Sequence, residues 1–163
     1  MSHDAEPTVD PDVDLHVPAQ RRELAATPLR VIGAIAAGGA IGALSRYGVS
    51  LLLPTVPGRF PWGTFTINVV GCALIGVLMV LITDVFTDRP LLRPFVGVGI
   101  LGGFTTFSTY ANETRALLRP GSVPIAAAYF AGTLLCALLA VIVGMALTHA
   151  VLHRRTAGTE AGA

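Results

Sequence analysis

Long stretches of this chain carry no charge at all, and that constrains its fold more than any other feature. No Asp, Glu, Lys or Arg occurs between Phe60 and Thr83, between Pro94 and Asn112, or between Pro120 and His153. The charges crowd instead into the first thirty residues and a few short joints. Only 13% of the 163 residues are charged and 53% are hydrophobic, about half the charged share of an ordinary soluble domain. Stretches this long and this apolar read as membrane spans.

Four such spans fit the pattern, at about 29–53, 63–83, 91–118 and 125–151, each long enough for a hydrocarbon core ~30 Å thick. Pro54, Pro57, Gly58 and Pro61 end the first span, and Trp62 stands where an interfacial aromatic belongs. Asp84, Asp88, Arg89, Pro90 and Arg93 form the second joint; Arg119, Pro120, Gly121 and Pro124 form the third. Gly38 and Gly42 give the first span a GxxxG spacing for close helix approach. The expected fold is therefore an all-α integral membrane protein with four transmembrane helices, residues 28–152 forming the spanning domain.

Residues 1–27 hold Asp4, Glu6, Asp10, Asp12 and Asp14 with three prolines. They cannot bury enough apolar surface to offset chain entropy and are expected to be a disordered acidic tail. The tail has neither the basic n-region nor the apolar h-region of a signal peptide. Residues 153–163 are expected to be a flexible C-terminal tail. With four spans both termini share one side, together with Arg89 and Arg93. A modest arginine excess there puts them in the cytoplasm, and a weak excess is compatible with insertion in both orientations.

Composition excludes several classes. A formal net charge of +1 and no basic patch with interleaved aromatics leave no case for nucleic acid. Cys72 and Cys136 both fall in apolar spans, away from any ligand at metal spacing, and read as small buried hydrophobes. His149 and His153, one turn apart at a helix end, read as solvated.

The third span is the exception to this apolarity. From Gly102 to Glu113 it carries two glycines, four hydroxyls in Thr105, Thr106, Ser108 and Thr109, the phenol of Tyr110, Asn112 and a carboxylate. In hydrocarbon each polar group needs a partner or a wet cavity, so the run is a candidate ion pathway. Gly102-Gly103 would let the helix break near its middle, and the carbonyls freed by a break can hold a cation. The alternative is that the hydroxyls bond back to their own helix and the glycines only ease packing. Asn68, Ser108, Thr109 and Thr133 supply donors, and Phe107 the positive edge of its ring. Donors without fixed charge suit a small anion that must bind, shed water and leave. Arg46 is costly within the first span unless it reaches water. Glu113 could serve proton coupling or helix-end solvation.

Three blocks carry a resemblance: 38–47 (GGAIGALSRY), 63–71 (GTFTINVVG) and 102–113 (GGFTTFSTYANE). In these blocks, and in four spans in this order from about 30 to 150, the chain resembles the small bacterial fluoride channels and exporters of the CrcB or Fluc family. The resemblance implies an antiparallel dual-topology-type dimer with two narrow fluoride pores, a third helix broken at its centre, and a structural sodium ion held there. Carried over residue by residue, the Gly102 and Thr105 carbonyls would be the sodium ligands. Asn68 would be the pore amide, Phe107 and Tyr110 the aromatics facing fluoride, and Ser108, Thr109 and Thr133 the polar lining. Arg46 would match a vestibule arginine and Glu113 a carboxylate near the track. The sequence departs in having Tyr110 where the family usually has Phe, and Thr133 where it often has Ser. Some members pair two related chains, so a homodimer and a heterodimer are both open.

The resulting expectation is a fluoride-selective channel, not an enzyme, that lowers cytoplasmic fluoride by passive efflux across the bacterial plasma membrane. Two competitors remain: a small four-span proton-coupled exporter and a non-transporting membrane subunit. The exporter needs a deep acidic residue in the first span, where this chain has none. The non-transporting subunit predicts that the polar run tolerates apolar replacement.

Overall fold

A computed structural model describes residues 28–87 and 89–160, with side chains described for 29–87 and 89–154. The acidic tail expected at 1–27 lies outside the described residues. The described regular structure is entirely helical: α1 (Pro28–Leu52), α2 (Trp62–Asp84), α3 (Arg93–Leu101), α4 (Gly102–Phe104), α5 (Phe107–Leu117) and α6 (Val123–Glu160). Pro28 opens α1, where a fixed φ and a missing N–H cost nothing. Pro54 lies two residues past its end and keeps the chain extended.

Three helical stretches are long and apolar enough to cross a membrane: Leu29–Leu52, Trp62–Asp84 and Val123–Arg154. The expected third span is instead divided among α3, α4 and α5. Its first piece is wound more widely than an α-helix, and the Gly102 N–H that follows it donates to the Gly97 carbonyl five residues back. Pro94 contributes no N–H to the first turn of that piece. At the other end of the chain the backbone helix continues through 153–160, where the sequence suggested a flexible tail. No proline follows Pro124, so nothing in the last segment forces a stop at Leu152.

The helices pair as α1 along α3 and α4, and α2 along α6. Small residues set both distances. Gly38 and Gly42 of α1 lie against the carbonyls of Phe95 and Ile100, leaving no room for a Cβ. Gly76 of α2 lies against the Val141 carbonyl, and Gly144 of α6 lies reciprocally against Ala73. Outward positions such as Leu44, Leu51, Leu135, Ile142 and Leu147 are exposed and apolar, as a lipid-facing surface requires.

A cluster of buried residues lies toward one end of the bundle. Tyr129 is wholly enclosed there, with Tyr110, Leu117 and Ala126 beside it. Phe60 from the first joint meets Tyr129 edge-on at 5.3 Å between centroids, a favourable quadrupole arrangement. At the opposite end the helix termini converge: His149 Nδ1 on α6 lies 3.4 Å from Asp84 Oδ2 on α2. These two ends, marked by Phe60 and Asp84, orient the site between them.

Candidate functional site

Two residues interrupt the polar run. Thr105 (ψ 159°) and Thr106 (φ −150°, ψ 121°) are extended, so α4 stops at Phe104 and α5 starts afresh at Phe107. The glycines do not make this interruption. Gly102 is helical (φ −65°, ψ −37°), and a Cβ on Gly103 would come within 2.5 Å of the Gly39 carbonyl. Gly103 is there for contact with α1, and the chain turns extended two residues later.

An extended pair inside a helix bundle leaves backbone groups to satisfy. Asn68 on α2 does this with both halves of its amide. Its Nδ2 donates to the Thr106 carbonyl at 3.1 Å, and its Oδ1 accepts from the Thr106 N–H at 2.9 Å. The Thr106 hydroxyl accepts from the Thr109 N–H at 3.2 Å, capping α5, and donates to Thr109 Oγ1 at 3.0 Å. Arg46, half-buried on α1, donates from Nη1 to the Thr105 carbonyl at 3.3 Å. Gly71 of α2 abuts the Thr105 methyl, so no larger residue fits beside the interruption.

A cavity of about 260 Å³ opens beside this interruption, lined by Asn68, Thr105, Thr106, Phe107, Tyr110 and Thr133, with apolar walls from Cys72, Ile75, Leu134 and Ala137. Thr133 is 4% exposed, and its hydroxyl has no hydrogen-bond partner, the one such buried side-chain atom among the described residues. Each unpaired buried hydroxyl is costly and calls for an explanation. Asn68 keeps a second N–H beyond the one given to Thr106. The N-terminus of α5, with its partial positive charge, lies at the same place, Phe107 being a lining residue. The cavity is thus apolar-walled with neutral donors, and no carboxylate lines it.

Tyr110 lines this cavity with its hydroxyl already engaged elsewhere. Its hydroxyl donates to the Phe130 carbonyl at 2.6 Å, and its ring stacks on Phe130 at 5.7 Å and 11°. Phe107 lies 5.9 Å from the Tyr110 ring and is 78% exposed, a large aromatic left uncovered by the rest of the chain. Ser108 and Thr109 are exposed and do not line the cavity. The structure thus gathers Asn68, Phe107, Tyr110 and Thr133, places Arg46 against the Thr105 carbonyl outside the cavity lining, and puts Ser108 and Thr109 on the α5 surface.

Glu113 sits apart, toward the Phe60 end. Its carboxylate accepts from the Thr55 hydroxyl at 2.8 Å and the Tyr129 hydroxyl at 2.7 Å. It lines a second hollow of about 440 Å³ with Thr55, Arg59 and Arg119. Two contributors had no role of their own in the sequence, although Thr106 lies within the polar run. Thr106 is the residue on which the amide, the cap and the interruption converge, and its signal was the Thr106–Thr109 spacing of an N-cap. Tyr129, which donates to Glu113, stood out in the sequence only as a polar position one turn before Thr133.

For a cation, the described residues offer no cluster of His, Cys, Asp or Glu, so ligands would be backbone oxygens. The Thr106 N–H, which would close a helical bond on the Gly102 carbonyl, is engaged by Asn68 instead. The Thr105 carbonyl accepts from Arg46 but has a second lone pair. Carbonyl oxygens suit a hard cation, and these two fit one as part of a larger set.

The family described as CrcB-like protein, Camphor Resistance (CrcB), matches residues 33–145. A Nocardia farcinica protein named fluoride-specific ion channel FluC 2 is 56% identical over 114 residues, covering 70% of this chain and 81% of its own. A Streptomyces avermitilis protein of the same name is 50% identical over 125 residues, covering 77% and 79%. A Streptomyces coelicolor protein named fluoride-specific ion channel FluC 1 is 54% identical over 115 residues, covering 71% and 75%.

Proposed function

The chain belongs to the CrcB family, and we propose that it is a fluoride-selective channel that lowers cytoplasmic fluoride by passive efflux across the bacterial plasma membrane. The observation that carries this reading is the buried, unpartnered Thr133 hydroxyl facing the same cavity as the Asn68 amide. A small, strongly hydrated anion gains donors there in exchange for its water. Apolar walls and the absence of a lysine or arginine in the lining keep it from being held too long.

In this reading the anion meets the second Asn68 N–H, the Thr133 hydroxyl and the ring edges of Phe107 and Tyr110. Asn68 has a double role: it holds the extended Thr106 in place and offers a donor outward. Ser108 and Thr109, on the exposed face of α5, would extend the path once that face is covered. Glu113 and the arginines of its hollow would stand at the exit toward the Phe60 end. Accumulated fluoride needs no pump to leave, because HF enters as a neutral acid and dissociates inside, so the gradient points outward.

The broken segment α3–α5 would complete a fourth crossing, with its interruption at membrane depth. The uncovered Phe107 supports a second, antiparallel subunit that closes the path, either the same chain or a related one. Sodium, where bound, would be held by the Gly102 and Thr105 carbonyls together with the partner's equivalents. It would supply a fixed positive charge at the centre of the assembly. Arg46, bonded to the Thr105 carbonyl, positions that backbone in either case.

Liposomes loaded with potassium fluoride and holding the purified chain, alone and with a related partner chain, test the proposal. A fluoride electrode should record release within seconds of adding a potassium ionophore. Release no faster than from empty liposomes in both preparations would sink it.

A further inference from the structure

Far from the anion cavity, at the Asp84 end, a groove of about 660 Å³ runs between α1 and the joint that follows α2. Its lining includes Ala34, Phe86, Arg89, Leu91, Leu92 and Phe95, apolar throughout except for Arg89. Phe86 and Leu91 are 42% and 40% exposed, so the apolar wall is open rather than sealed. Arg93 is exposed in the first turn of α3, between the lining residues Leu92 and Phe95. Arg30, also exposed, stands one turn before Ala34 on the same face of α1.

These three arginines have no carboxylate partner among the described residues. Among the described residues the ion pair joins His149 to Asp84, and none involves Arg30, Arg89 or Arg93. The hollow at the other end differs in this respect, because Glu113 lines it beside Arg59 and Arg119. The groove lies where apolar helices give way to a charged joint, the level of lipid headgroups. An apolar trough rimmed by guanidinium groups that have no carboxylate partner among the described residues fits one chemistry: an acyl chain attached to an anionic headgroup. Basic pockets between transmembrane helices bind anionic lipids in this way, and guanidinium pairs with phosphate in a fixed, two-pronged geometry.

We propose that this groove is a binding site for one anionic phospholipid, with an acyl chain along Phe86, Leu91 and Phe95 and the phosphate against Arg89. Arg93 and Arg30 flank the headgroup and favour a net negative charge over a zwitterion. The site is independent of the fluoride pathway and needs only that the chain be embedded in a membrane.

The test measures retention of lipid on the purified full chain in detergent by native mass spectrometry, using phosphatidylglycerol and phosphatidylcholine of identical acyl chains. The wild-type chain should bind the glycerol lipid about tenfold more tightly than the choline lipid. Arg89→Gln with Arg93→Gln should remove that preference, and Ala34→Phe, which fills the groove with all arginines intact, should weaken both lipids. Either variant suffices if it elutes as the wild-type species does. Inorganic phosphate in millimolar excess should leave the lipid bound. Equal binding of the two lipids by the wild-type chain overturns the proposal, as does an undiminished preference in the double variant. So does full displacement by phosphate, or wild-type lipid binding after Ala34→Phe. Cross-linking of a second copy through this groove in lipid-free protein would assign it to an interface instead.

Discussion

Asn68 and Thr106 exchange two hydrogen bonds, at 3.1 and 2.9 Å, in the pattern by which neighbouring strands pair their backbones. A side-chain amide thus stands in for a strand where no strand exists, and that allows two residues to remain extended inside a helical bundle. Asn68→Ala leaves the Thr106 N–H and carbonyl unpaired at a cost of about 1–3 kcal/mol for each buried group. We expect a lowered unfolding temperature in detergent together with loss of fluoride flux. Asn68→Asp keeps an acceptor for the N–H but loses the donor. Flux should fail there while more of the stability survives.

Tyr110→Phe separates the ring from its hydroxyl. Since the hydroxyl is engaged by the Phe130 carbonyl at 2.6 Å, its removal should cost about 1 kcal/mol of stability. Fluoride flux should stay within about threefold of wild type, because a loss on the order of 1 kcal/mol in a peripheral bond does not reach the cavity donors. Flux or selectivity that collapses in this variant would mean that the phenol acts on the ion.

The glycine pair divides into one residue that tolerates a methyl and one that does not. At Gly102 an added Cβ meets only the Gly97 carbonyl, 3.9 Å away, whereas at Gly103 it comes within 2.5 Å of the Gly39 carbonyl. Gly103→Ala should push α1 and α4 apart at a cost of about 1–3 kcal/mol. Gly102→Ala should unfold at the wild-type temperature. The reverse order would show that the helices approach each other elsewhere.

Thr133→Val tests whether a buried hydroxyl is there for structure. The hydroxyl has no partner among the described residues, so removing it relieves a desolvated polar group at constant shape. Thermal unfolding should be unchanged or slightly raised. A marked loss of stability would reveal a structural bond that the single chain does not contain.

What the sequence made legible follows from which signals are local. Apolar runs bounded by Pro and Gly placed α1, α2 and α6, because burial in lipid needs only length and hydropathy. The glycines of α1 announced a close helix approach, because GxxxG has one main use in a membrane, and the structure makes α3 the partner. The third segment resisted such reading. Its wide winding and its interruption depend on Pro94, on packing against α1 and on Asn68, thirty-eight residues upstream of Thr106. A glycine pair looked like the natural place to break, yet Gly102 lies in helical backbone and Gly103 serves contact with α1. The roles of Tyr110 and Thr133 also depend on tertiary neighbours. Their residue types suggested polar lining, but only the structure distinguishes a hydroxyl bonded to Phe130 from one with no partner at all. The resemblance of the three sequence blocks supplied the choice of fluoride, which residue chemistry alone left open among small anions.

The measurement closest to the central claim is paired fluoride and chloride efflux from the same liposomes, wild type against Thr133→Val, with the variant's fold verified by unfolding temperature. Wild-type protein should release fluoride rapidly and chloride no faster than empty liposomes, and the valine variant should lose most of the fluoride flux while folding normally. Wild-type protein that passes chloride as readily as fluoride, or a valine variant that conducts fluoride undiminished, would contradict the claim.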